Sequence, residues 1–277
     1  MILYGRNPVR EALRGRRAHT VGEVWVSGGA AREPWLEGVA VRKATVEELE
    51  GRCGSAAHQG VCAEAGGYPY VSADDLLAEP DPLIVALDQV QDPQNLGSIC
   101  RTAECAGATG LVIPERRAAE VTPAVCKASA GAVEHLRVAR VRNVADFLLH
   151  ARDAGCWSYG ASAPVAGGRA GAARDVGGQP ARVSGGAAAA DKGSPAKGGG
   201  RTVDATVPYD RPDYRGGVVL VLGSEGRGLR PRVAGACDQL VSLPLLGQVE
   251  SLGVSAAAAA LLYEILQSRS RALDNAP

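Results

Sequence analysis

Apolar and polar positions divide this chain into two textures. In the first stretch, Val21 to Ser27 (VGEVWVS) alternates and predicts a strand with one covered face. Gln59 to Ala63 (QGVCA) predicts another short strand. Asn7 and Pro8 have the types of an N-cap and a first helical residue, so a helix is expected to about Leu13. Thr45 stands before Val46-Glu47-Glu48, which predicts a capped helix with Glu48 closing the capping box. From Leu83 the apolar runs become continuous. Leu83 to Leu87 (LIVAL) and Val218 to Leu222 (VVLVL) read as strands buried on both faces. Shorter strands are expected at Gly110–Ile113, Val138–Val141, Cys156–Ala161 and Gln239–Leu243. Helices are expected at 96–106, after Thr122-Pro123, from Asn143 to Gly155, and from Val254 to about Arg269.

Strands and helices alternate after residue 83, which places the chain in the α/β class with a mainly parallel sheet. Residues 1–70 read as a small α/β unit of their own. Residues 71–82, rich in Pro, Asp and Ala, read as a linker with one short helix at 72–78. The second unit then covers 83–277. Within it, 163–205 is Ala, Gly, Ser and Pro with few large apolar residues. Such a stretch cannot bury enough surface to offset its ordering entropy, so it reads as a flexible insertion.

Composition narrows the class. Of 277 residues, 46% are hydrophobic, enough for an ordinary core. No apolar run approaches the about 18 residues that span a bilayer, and the start (MILYGRNP) lacks a signal-peptide layout. A soluble cytoplasmic chain with no membrane contact is expected. The seven cysteines show no Cys-x-x-Cys and no His at finger spacing, so no metal site is expected. The formal net charge is zero, which argues weakly against a chain that holds nucleic acid by bulk charge. A local patch remains open: Arg6, Arg10, Arg14, Arg16 and Arg17 face only Glu11 in their stretch, either as a solvated helix face or as phosphate contacts.

Three segments carry candidate chemistry. In the first, 88–103 (DQVQDPQNLGSICRTA), a buried strand runs into a polar loop and a helix, the place where parallel sheets bind ligands. Asn95 has the type and place of an N-cap, and Arg101 lies one to two turns on. That arginine is either paired with Glu104 or Asp92 or aimed near the loop. The second, Leu222 to Leu229 (LGSEGRGL), is a glycine-rich turn after a strand. Its spacing fits neither the dinucleotide fingerprint nor the P-loop. Glu225 within it would repel phosphate, so a cationic or hydroxyl-bearing ligand fits better. The third, Leu243 to Ser255 (LPLLGQVESLGVS), leads from a strand into an alanine-rich helix whose small face permits close packing.

Together and in this order the segments resemble the SpoU, or TrmH-like, branch of the SPOUT RNA methyltransferases. The first motif, Asn-x-Gly-x-x-x-Arg, is matched by Asn95, Gly97 and Arg101. The second, Leu-Gly-x-Glu-Gly-x-Gly, is matched from Leu222 to Gly228. The third, Pro-x-x-Gly-x-x-x-Ser-Leu-Asn-Val-Ser, is matched from Pro244 to Ser255 except at one position. The opening Tyr4-Gly5-Arg6-Asn7-Pro8-Val9 is similar to the family's small substrate-binding domain, itself similar to ribosomal protein L30e.

The resemblance implies an RNA-binding unit over 1–70 and a methyltransferase domain over 83–277 whose C-terminal part threads as a trefoil knot. It implies S-adenosylmethionine as cofactor, lined by Gly223, Leu243 and Leu252. It implies methyl transfer to a ribose 2′-hydroxyl of RNA, with Arg101, Glu225, Ser251 and Asn95 at the catalytic centre and Arg6 and Arg10 on substrate. Arginine is a poor base, so Arg101 is expected to contact the target nucleotide. A homodimer is implied, and a 23S rRNA guanosine is the favoured target, with tRNA as the alternative. One position departs: Gly253 stands where the family has Asn, and glycine cannot supply that side chain's hydrogen bonds. An RNA-binding protein of this fold with weak or no activity is the alternative function.

Overall fold

The first 65 residues fold as β1 (Ile2–Tyr4), α1 (Arg6–Ala12), β2 (Val21–Val26), β3 (Val41–Lys43), α2 (Val46–Cys53) and β4 (Val61–Ala65). The four strands make one sheet in the order β1-β4-β2-β3. The computed structural model describes residues 1–163, 206–249 and 251–274. The segment 163–205, read from sequence as an insertion, therefore lies almost wholly outside the described residues. Thr45 caps α2, accepting from the Glu48 amide while Glu48 returns to the Thr45 amide, the predicted capping box. The cap of α1 differs from expectation. Gly5, not Asn7, is its N-cap, at φ 98°. The Gly5 amide donates to the Val61 carbonyl, so the chain leaves β1 abruptly, and only glycine tolerates that turn without strain. β4 starts two residues later than expected because Gln59 and Gly60 form a left-handed turn, at φ 54° and 77°.

The second unit contains α3 (Ala73–Leu77), β5 (Leu83–Asp88), α4 (Pro93–Cys105), β6 (Gly110–Pro114), α5 (Pro123–Ala128), β7 (Val138–Val141), α6 (Val144–Asp153) and β8 (Trp157–Ala161). It continues with β9 (Val207–Pro208), β10 (Val218–Gly223), α7 (Pro231–Ala234), β11 (Gln239–Ser242) and α8 (Val254–Asp274). Its seven strands stand in the order β7-β6-β5-β10-β8-β11-β9, and each described pairing is parallel. β5 and β10 lie at the centre, buried along their whole length. Alternate residues serve opposite faces, as the strand period requires. Val85, Leu87, Leu220 and Leu222 share a core with α4, α5 and α8, while Ile84, Ala86, Val219 and Val221 pack with Leu76 of α3 and with α6. Residues 71–82 are thus tied to the sheet: Val71 donates to the Val138 carbonyl, and Leu76 is fully buried.

The two units share one continuous core, in which Leu3, Val9 and Ala12 join Val125, Cys126 and Val133. Its polar centre is Arg17. This side chain is fully buried, with Nε 2.7 Å and Nη2 2.5 Å from the two carboxylate oxygens of Glu134. Its Nη1 also donates to the Gly66 carbonyl. Burial alone would lower the Arg17 pKa; hydrogen bonding and the charge of Glu134 raise it above the ordinary value. Arg17 is therefore no part of a phosphate-contacting patch. Sequence pattern placed it with its solvated neighbours, because the partner that draws it inside is 117 residues away.

Candidate functional site

The carboxyl ends of β5, β10, β8 and β11 converge on the first turns of α4 and α8. Leu222-Gly223 ends β10 and the glycine-rich turn follows. Ser224 and Gly228 exchange backbone hydrogen bonds of 3.1 and 2.9 Å, closing the turn on itself. Gly226 and Gly228 take φ of 77° and 65°. The turn folds back so tightly that a Cβ on Gly223 would lie 2.1 Å from the Gly228 carbonyl carbon. Beyond it, Arg230 anchors the segment: its amide and Nε donate to the Asp88 carboxylate at 2.9 and 2.8 Å. Asp88, at the end of β5, is almost completely buried, so this pair fixes the turn against the central strand.

Two cavities flank the turn. The first holds about 500 Å³ and is lined by Leu222 to Leu229 on one side and Leu243, Leu245, Ser251, Leu252 and Val254 on the other. That volume lies within the range of small-molecule sites. Its walls combine leucine side chains with the glycines of the turn after β10. The second cavity, about 280 Å³, is more polar, with Gln89, Gln91, Asp92 and Asn95 facing Glu225 and Arg227. Ser224, Glu225, Arg227 and Val254 line both, so the turn is the wall between them.

The structure brings most of the sequence-predicted residues together. Gly223, Leu243, Leu252, Ser251 and Glu225 line the first cavity, and Asn95 and Glu225 the second. Asn95 is not the N-cap of α4. Asp92 caps it, accepting from the Gln94 amide, and Pro93 takes the first position. Asn95 therefore sits within the first turn, and its Nδ2 donates to Glu225 Oε2 at 3.1 Å. Gly97 has a packing role instead: a Cβ there would lie 2.4 Å from the Ala128 Cβ, where α4 crosses α5. Arg101 is exposed, lines neither cavity, and pairs with neither Glu104 nor Asp92 among the described residues. Arg6 and Arg10 lie on the first unit, away from both cavities. Arg6 pairs with Glu33 at 2.7 Å and Arg10 with Glu11 at 2.6 Å. Gly253 is exposed, and a Cβ there would meet nothing within 4 Å.

Sequence reasoning missed three contributors. Asp88 and Arg230 form the anchoring pair, but 142 residues separate them and nothing local announces it. Arg227 lines both cavities and has no ion pair among the described residues. Its position between two glycines of the turn was the available signal. Among the buried thiols, burial raises both Cys100 on α4 and Cys237 before β11, and the charge of Asp238 adds to the shift at Cys237, which reaches about 12. Neither supplies a thiolate nucleophile near neutral pH. The described residues hold no cluster of His, Cys, Asp and Glu suited to a metal ion.

Comparison with known proteins bears on this geometry. The family described as SpoU rRNA Methylase matches residues 82–173 and 196–263, and the family described as RNA 2′-O ribose methyltransferase substrate binding matches residues 2–71. YacO of Bacillus subtilis, whose name places it among TrmH family tRNA/rRNA methyltransferases, is 34% identical over 97% of this chain and 96% of its own. An uncharacterized tRNA/rRNA methyltransferase of Mycolicibacterium vanbaalenii is 33% identical over 98% of this chain and 77% of its own. Among solved structures, the SpoU methyltransferase AviRb from Streptomyces viridochromogenes, in complex with AdoMet, has a similar fold. Its TM-score is 0.70 at 23% identity, covering 98% of this chain and 91% of that one.

Proposed function

This chain belongs to the SpoU rRNA methylase family and is an RNA methyltransferase, and on that premise we propose that it transfers a methyl group from S-adenosylmethionine to a ribose 2′-hydroxyl. The carrying observation is the pair of cavities that share Glu225 as a wall. The larger one suits the cofactor on three grounds. Its volume fits a nucleoside-sized ligand. Its leucines offer apolar walls for a purine, with Gly223, Leu243 and Leu252 among the lining. Its rim carries the Glu225 carboxylate, complementary to a sulfonium charge. When bound, the cofactor supplies an electrophilic methyl group.

The acceptor ribose is assigned to the smaller cavity. Asn95 holds Glu225 there, while Ser251 lines the larger cavity on the other side of the shared wall. Glu225 and Ser251 orient the hydroxyl, because transfer needs it in line with the methyl group. Arg101 contacts the target nucleotide. It faces solvent in one protomer, so its role depends on the proposed homodimer, in which a second copy completes the acceptor site. Arg6 and Arg10 are assigned to RNA held by residues 1–70, and residues 83–277 to the threaded methyltransferase domain. No helix among the described residues is long and apolar enough to cross a membrane, and a cytoplasmic enzyme is part of the proposal. The favoured target is a 23S rRNA guanosine.

One observation favours a second reading. Gly253 carries no side-chain amide where the family has Asn, which fits an RNA-binding protein of this fold with low turnover. Purified chain supplied with methyl-labelled S-adenosylmethionine and either rRNA or tRNA tests both readings. Label entering rRNA supports the favoured target, and label entering tRNA alone replaces it. No transfer to either RNA, with cofactor binding intact, leaves the second reading.

A further inference from the structure

The rim formed by the carboxyl ends of the parallel strands carries three arginines that the site above does not use, in line with Arg227, which it does. In sheet order, Arg142 follows β7, Arg116 and Arg117 follow β6, and Arg227 follows β10 beyond the β5 loop. All four are exposed, and none forms an ion pair or side-chain hydrogen bond among the described residues. From β7 to β10 is three strand steps, about 14 Å at about 4.8 Å each. The series ends at Arg227, in the wall shared by the two cavities.

The two loops in the middle of this rim are joined. Ala119 donates to the Val90 carbonyl at 2.9 Å, and Gln91 Nε2 to the Arg117 carbonyl at 3.4 Å. Each loop holds a non-glycine residue in the left-handed region, Gln89 at φ 63° and Arg117 at φ 59°. Such strain persists where surrounding contacts hold it, and it gathers at functional sites. Of the acids on the rim, Glu120 pairs with Arg140 at 3.0 Å, whereas Asp92 and Glu225 meet only neutral donors and Glu115 is exposed. Three carboxylates thus stand against the four arginines, a surplus of one positive charge on a chain whose net charge is zero.

We infer that Arg142, Arg116 and Arg117 form a phosphate track that leads a single-stranded stretch of RNA along the strand ends to the acceptor cavity. The inference rests on the RNA-methyltransferase reading for the identity of the polyanion, and it adds residues and a direction of approach. RNA is bound chiefly through its phosphates, and unpaired guanidinium groups spaced along a rim suit a single strand. The track lies on the second unit, so it is separate from Arg6 and Arg10.

The test is the salt dependence of binding to a fluorescein-labelled single-stranded RNA of mixed sequence. The full chain is compared with Arg116→Ser/Arg117→Ser/Arg142→Ser and with the corresponding triple lysine variant. Each lost phosphate contact flattens the plot of log affinity against log salt by about 0.7, so the serine variant is expected to flatten it by about 2. The lysine variant is expected to keep the slope, and cofactor affinity should be unchanged in both. Unchanged slope and affinity in the serine variant overturn the track, as does a lysine variant that loses the slope equally. Binding is read without turnover, so the two readings fail separately. A flattened slope in a chain that methylates no RNA upholds the track and removes the enzyme reading. An unchanged slope in an active chain does the reverse.

Discussion

Asn95 and Glu225 are 130 residues apart in sequence and share a hydrogen bond of 3.1 Å, Nδ2 to Oε2, which ties the first turn of α4 to the glycine-rich turn after β10. The bond fixes one wall of each cavity relative to the other. Asn95→Ala and Glu225→Gln should each lower kcat by about 100-fold, the scale of losing one well-placed group. Cofactor affinity should change much less in Asn95→Ala, which leaves the larger cavity's lining intact, whereas Glu225→Gln should also weaken it by removing the carboxylate at the rim. The double variant should cost little more than the worse single one, because the two side chains act as a unit. Steady-state kinetics with a double-mutant cycle checks this, and full additivity would contradict the shared role.

Gly223 and Gly97 test two different demands for glycine. A methyl group at 223 meets backbone of the turn, so Gly223→Ala should displace that turn and weaken cofactor binding at least tenfold. A methyl group at 97 meets the α4–α5 contact, so Gly97→Ala should lower stability by about 1–3 kcal/mol through overpacking while folded protein keeps its cofactor affinity. Calorimetric titration and thermal melts of both variants separate the two effects.

Gly253→Asn is expected to fold normally, because the added side chain starts in open space. If the missing amide limits turnover, kcat should rise with little change in melting temperature. Equal kcat in the two proteins would mean that the glycine is no handicap and would remove the observation favouring the low-turnover reading.

The Arg17–Glu134 pair locks the two units together and is desolvated. Removing one partner leaves a buried charge, so Glu134→Gln or Arg17→Met should cost about 3–5 kcal/mol. Replacing both by apolar residues of similar volume should recover much of that loss. Urea unfolding of the three variants measures it. Additive losses in the double variant would contradict the pairing argument.

How far the residues could be read ahead of the structure depends on how local each cause is. The LIVAL and VVLVL runs announced the central strands because both faces are apolar. Thr45 and Glu48 announced α2 because a capping box is contained in four residues. The caps of α1 and α4 were misassigned by three residues or fewer, since Asn7 and Asn95 compete with Gly5 and Asp92 for the same role and local type does not decide between them. β9, at two residues, has no periodicity to read. The cavity lining followed from the order of the motifs, whereas Asp88–Arg230 and Arg17–Glu134 arise from chain reversals that no window spans. The exposed position of Arg101 on α4 likewise required coordinates.

The central claim is methyl transfer to a ribose oxygen, and product analysis tests it most directly. RNA that has reacted with methyl-labelled S-adenosylmethionine and this chain is digested to nucleosides, and the labelled species are identified. The account predicts label in a 2′-O-methylated nucleoside, strongly reduced with Glu225→Gln. Label on a nucleobase, or no label while the cofactor still binds, would contradict it.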